Sequence, residues 1–167
     1  MSSATETLLH VVAIGVGATA VMDIWGALQS RLFGARPMSY ALVGRWLAHM
    51  LLRGRVRHDA IAAAPPVRGE HAVGWIAHYV IGIAFAAVLV VLWGIDWARS
   101  PSLAPALIVG IATVVFPFLI LQPAFGLGVA AARAPNPNQA RLRSLLTHTV
   151  FGLGLYVVAR LIELLHS

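Results

Sequence analysis

The sequence predicts an all-α, polytopic membrane protein: a four-transmembrane-helix bundle with a cytoplasmic interfacial amphipathic helix and a candidate 2+2 parallel internal repeat. Three observations carry this reading. Of 167 residues, 59% are hydrophobic and 11% charged, with a mean hydropathy of +0.82. A soluble domain of this size needs far more polar surface to cover itself. The apolar residues fall into four blocks, each near the roughly 20 residues a helix needs to cross the hydrocarbon core. The arginines are also unevenly shared among the segments that join those blocks.

Block one covers residues 8–28 and holds one carboxylate, Asp23, in its C-terminal third. The long connection 31–70 follows. Block two covers 72–93, and a short turn containing Pro101 leads to block three at 103–123. Pro117 and Pro123 lie inside block three; each removes a helix hydrogen bond, which predicts a kink at Pro117. A polar stretch, Arg133 to Arg141, precedes block four at 144–165. One membrane domain accounts for the whole chain.

Orientation follows from arginine, the sole basic residue type besides histidine. The first connection carries Arg31, Arg36, Arg45, Arg53, Arg55, Arg57 and Arg68, and the third carries Arg133, Arg141 and Arg143. The other side has only Arg99 and Arg160. The positive-inside rule then puts both Arg-rich connections in the cytoplasm and both termini outside. Trp93 and Trp97 fall in the outer aromatic belt and Trp75 near the inner one. Met1 to Thr7 has no basic residue, which argues against a secretory signal and for a retained first span.

Within the first connection, Leu42, Val43, Trp46, Leu47, Met50 and Leu51 recur with helical period. Arg45, His49 and Arg53 line another face at i, i+4, i+8, the pattern of a helix lying in the membrane interface or packed on the bundle. Arginine pairs bidentately with phosphate, so these three are the expected contacts to anionic lipid. The Ala-Ala-Ala-Pro-Pro run at 62–66 should end any helix.

Blocks two and four share a pattern. Gly74, His78 and Gly82 match Ser144, His148 and Gly152 at an offset of 70 residues. Spacing of four puts each trio on one helix face, and small residues there permit close helix contact in lipid. Gly17-Ala18-Thr19 and Ile111-Ala112-Thr113 correspond more weakly. Two such halves in the same direction imply a pseudo-twofold along the membrane normal.

An ionisable group inside a span is costly and marks a candidate site. Asp23, His78 and His148 are three such groups, roughly 7–12 Å below the cytoplasmic surface at 1.5 Å per residue. Tyr79 and Gln122 are polar neighbours at similar levels. His78, His148 and Asp23 are therefore the candidate metal ligands, and the two histidines the candidate haem ligands. Cysteine is absent, so thiolate sites and cysteine nucleophiles are excluded. No HExxH, EF-hand or Gly-x-Ser-x-Gly motif occurs, and no nucleic-acid motif.

Met22-Asp23, Val43-Gly44-Arg45-Trp46, Gly74-Trp75 with His78-Tyr79, Gln122-Pro123, Pro135-Asn136-Pro137 and Ala140-Arg141 together resemble an uncharacterised family of small bacterial inner-membrane proteins, a domain of unknown function. The resemblance implies a bacterial cytoplasmic membrane and carries over no catalytic residue. Three readings stay open: a small-solute or proton-coupled transporter, which with four helices would work as a homodimer; a membrane enzyme or redox subunit holding haem or a divalent metal; and a lipid-binding or assembly subunit.

Overall fold

The computed structural model describes residues 3–34 and 38–166. Arg36, counted above among the cytoplasmic arginines, lies outside the described residues, as do Met1, Ser2 and Ser167. The described residues contain helices and no strand. These are α1 (Ser3–Phe33), α2 (Tyr40–Arg53), α3 (Glu70–Trp93), α4 (Ile95–Arg99), α5 (Leu103–Ala112), α6 (Gln122–Ala124) and α7 (Pro137–His166). Four stretches are long and apolar enough to cross a membrane: Ala4–Leu32, Glu70–Trp93, Leu103–Ala124 and Pro137–Leu165.

The third of these is not a regular helix. Its α-helical part ends at Ala112, and Pro117–Leu121 form a π-helical turn before α6. Pro117 has no N–H to offer the preceding turn, and Pro123 repeats the defect six residues on, so the ladder re-forms with a wider loop. The fourth starts well before the apolar block, with Pro137 at its first position, where a missing N–H costs nothing.

The contacts divide the chain into two compact units. The first comprises Met1–Pro37, Tyr79–Thr113 and Leu146–Ser167. Its core is built largely from small residues: Ala18, Ala86, Ala98, Ala106 and Ala159 are fully or almost fully buried beside Ile14, Leu89, Phe151 and Leu155. Small side chains let helix backbones approach where no hydrophobic force drives them together in lipid. Trp97, expected in an aromatic belt, is buried in this core, where its indole N–H donates to the Ser102 carbonyl at 3.1 Å. The short α4 turns its ring inward, a turn that hydropathy does not encode. Trp93 stays substantially exposed.

The second unit comprises Met38–His78 and Val114–Leu145. Here α2 lies against the start of α3, with Gly44 and Gly74 at the contact. A Cβ on Gly44 would overlap the Glu70 carbonyl, and one on Gly74 the Tyr40 carbonyl. The other face of α2 buries Val43 and Trp46 with Ile61, Ala124 and Phe125. The long connection is also pinned by its backbone. His58 N–H donates to the Ala124 carbonyl at 2.9 Å and Ile61 N–H to that of Phe125 at 3.3 Å. Gly126, with φ of 92°, brings its backbone against the Asp59 carbonyl. A 3-10 turn at Ile61–Ala63 takes in the first two alanines of the alanine–proline run, and no helix follows it until Glu70.

Candidate functional site

In the first unit two helix crossings are built the same way, and each seats a polar pair. The first joins α1 and α3. A Cβ on Gly15 would lie 2.5 Å from the Ile83 Cα, and one on Gly82 would overlap the Thr19 hydroxyl. Thr19 itself donates to the Gly15 carbonyl at 2.7 Å, a local bond that satisfies its hydroxyl away from water. Gly15, Thr19 and Asp23 stand four residues apart, on one stripe of α1. On α3 Tyr79 lies three residues before Gly82. The antiparallel crossing therefore brings the next turn of each helix together, and the Tyr79 hydroxyl donates to Asp23 Oδ2 at 3.1 Å.

The second crossing joins α5 and α7. A Cβ on Gly110 would overlap the Gly152 backbone. One on Gly152 would press on the Ala106 carbonyl at 2.9 Å. Thr113, near the end of α5, lies one turn past Gly110, and His148 one turn before Gly152. The Thr113 hydroxyl bonds the Gly110 carbonyl, and its oxygen lies 2.7 Å from His148 Nδ1. A hydroxyl has one proton. With that proton on the Gly110 carbonyl, His148 must donate its own from Nδ1. In the neutral ring, Nε2 is then the basic nitrogen.

The remaining expected residues fall in the second unit. The His78 ring stacks on Tyr40, with centroids 4.0 Å apart and 23° between planes, and meets Trp75 edge-on at 5.9 Å. Gln122 donates from Nε2 to the Ser144 hydroxyl at 3.4 Å, and its Oε1 is buried with no hydrogen-bond partner among the described residues. Of the three residues expected to meet anionic headgroups, only Arg53 is exposed. Arg45 is turned inward. Its Nε and Nη2 hold both oxygens of Glu70, and its Nη1 donates to the Ala62 and Ala64 carbonyls. The bond to Glu70 raises the Arg45 pKa further above its ordinary value. His49 is also buried, with Nε2 3.0 Å from the Pro65 carbonyl. A carbonyl only accepts, so Nε2 carries the proton. The i, i+4 spacing identified the shared face of α2 but not what covers it.

Among the described residues no three His, Asp or Glu side chains are grouped so as to hold a metal ion. Asp23 has the Tyr79 hydroxyl beside it, His78 the ring of Tyr40 and His148 the hydroxyl of Thr113. Thr113 and Glu70 were not among the expected site residues. Thr113 was marked in the sequence by its correspondence with Thr19. Glu70 stands out there as the acid at the head of an apolar block, opposite an unusual number of arginines.

No curated protein and no solved structure matches this chain. Residues 12–162 match the family described as protein of unknown function DUF2938, so the chain belongs to that family.

Proposed function

We infer that this protein handles protons in the bacterial cytoplasmic membrane, as a small proton-coupled carrier. The observation that carries the reading is the pair of glycine-seated crossings. Each places a protonatable side chain within a candidate span and hydrogen-bonds it across to the neighbouring helix, Asp23 to Tyr79 and His148 to Thr113. Ionisable groups at membrane depth are expensive, and their usual uses are proton relays and solute pathways. The carboxylate can accept a proton, the imidazole can give one from one ring nitrogen and take one at the other, and both hydroxyls can pass a proton on.

The matched crossings also support the internal repeat. In both halves a glycine from the second motif, Gly82 or Gly152, faces a Gly–Thr element on the partner helix. A 2+2 arrangement about an axis along the membrane normal suits alternating exposure of a central site. Four helices enclose little space, so the working form in this reading is a homodimer, with both termini outside.

The test uses the full chain in proteoliposomes enclosing a pH-sensitive dye. An imposed potential should drive proton flux well above that of protein-free vesicles. Asp23→Asn and His148→Gln should each lower it at least tenfold while helical content is unchanged. Flux equal to that of empty vesicles, or untouched by both substitutions, would sink the reading.

A further inference from the structure

We propose that the segment from Leu51 to Arg57 is a membrane-seating tip that binds the surface of an anionic phospholipid bilayer. The proposal stands apart from the proton reading and shares only Leu51 and Arg53 with the residues that the helical spacing suggested. Leu51 and Leu52 are each 77% exposed and Val56 is 51% exposed. Arg53, Arg55 and Arg57 are exposed between and beside them, and none has a carboxylate partner among the described residues. The sequence has no acidic residue between Asp23 and Asp59. Three guanidinium groups without a carboxylate partner among the described residues and three apolar side chains thus share one short stretch.

The tip is held in shape. Gly54, at φ of 63°, ends α2 in the left-handed conformation. There its N–H and that of Arg55 return to the Met50 and His49 carbonyls at 3.0 and 3.2 Å, the usual closure of a helix end. Past the turn, the buried Trp46 donates its indole N–H to the Val56 carbonyl at 2.8 Å. One residue beyond Arg57, His58 is fixed to Ala124. The exposed leucines are therefore not fraying ends. They are presented by a fixed backbone, so little ordering is lost when they bind.

The chemistry selects the partner. Water leaves both the apolar side chains and the mutual repulsion of the arginines unrelieved. A headgroup layer relieves both: phosphates accept bidentate bonds from guanidinium, and the acyl boundary takes Leu51, Leu52 and Val56. Anionic lipid adds a net attraction that zwitterionic lipid lacks. A soluble acidic partner would satisfy the arginines but not the adjoining leucine pair.

The chain has no cysteine, so Leu52→Cys creates a unique attachment point for a polarity-sensitive fluorophore. The labelled full-length protein goes into nanodiscs of phosphatidylcholine alone, or with one third phosphatidylglycerol. In the anionic discs the emission should move to the blue. Quenching by acyl-chain spin labels should rise at least threefold, and quenching by aqueous iodide should fall. Salt at 0.5 M shortens the screening length to a few ångströms and should reverse most of the change. Replacing Arg53, Arg55 and Arg57 together by glutamine should return the signal to its value in neutral lipid. Equal lipid quenching in the two membranes overturns the proposal. So does a label shielded from lipid and iodide alike, the result expected if a second copy covers the tip. The salt experiment needs no arginine variant, so a misfolded triple mutant leaves the test decisive.

Discussion

Arg45 holds Glu70 in a fork, with Nε 2.9 Å from Oε2 and Nη2 2.7 Å from Oε1, and both side chains are only 13% exposed. The same Glu70 accepts the Val67 N–H, while Arg45 also collects two carbonyls of the alanine–proline run. One ion pair thereby closes the long connection against the helix that follows it.

Breaking that pair leaves a buried charge without its counterion, which costs about 3–5 kcal/mol. Glu70→Gln and Arg45→Gln should each lower the thermal midpoint in detergent, and the double variant should cost clearly less than the sum of the two. Arg45→Lys should not rescue, because an ammonium cannot span both carboxylate oxygens and two carbonyls. Strictly additive losses would show that the pair carries no coupling.

The glycine crossings make a contrast that can be measured within one helix type. Gly110→Ala drives a methyl group into the Gly152 backbone and should cost about 1–3 kcal/mol by overpacking, or more. Gly26 in α1 has nothing within 4 Å of an added Cβ. Gly26→Ala should therefore stabilise by about 0.5–1 kcal/mol through helix propensity. Equal effects at the two positions, read from unfolding in the same detergent, would contradict the close crossing.

His58 should make stability depend on pH. It is 5% exposed, and its Nε2 is buried with no hydrogen-bond partner among the described residues. Burial foremost, then the charges of Arg55 and His49, push its pKa below the ordinary 6.5. In acid the unfolded chain takes up a proton that the folded chain resists, so stability falls as pH drops through 6.5. The thermal midpoint should decline between pH 7.5 and 5.5, and His58→Gln should flatten that decline. A midpoint that rises on acidification in the native chain, and falls only in the variant, would reverse the assignment.

Topology is checked by reporter fusions after Arg57, Trp97 and Asn138 and at the C-terminus. Arg57 and Asn138 should report cytoplasm, and Trp97 and the C-terminus the opposite side. A cytoplasmic C-terminus would overturn the orientation drawn from the arginines.

Hydropathy placed the four apolar stretches within a few residues, because span length is a property of the chain in lipid and needs no knowledge of neighbours. The start of α7 escaped it. Asn138, Gln139, Arg141 and Arg143 are acceptable in a helix but not apolar, so an apolar window begins seven residues late. Periodicity found α2, and proline chemistry foresaw the broken ladder at Pro117. The site was legible only in its parts. Asp23, Tyr79 and His148 announced themselves by lying inside spans. Their partners depend on which turn of one helix meets which turn of another, and that is set by glycines whose contacts a single sequence does not reveal. Arg45 and His49 show the same limit, since a helical stripe is equally consistent with a headgroup layer and with a carboxylate on the next helix.

Thr113 has one hydrogen and two claimants. While His148 keeps its proton on Nδ1, the hydroxyl hydrogen stays with the Gly110 carbonyl. Moving the imidazole proton to Nε2 turns Nδ1 into an acceptor. The hydroxyl must then swing round to it, and Gly110 loses that donor at the point where two backbones meet without side chains between them. The tautomer of a single ring, a change too small to alter net charge, thus decides which bond the hydroxyl at the end of α5 makes.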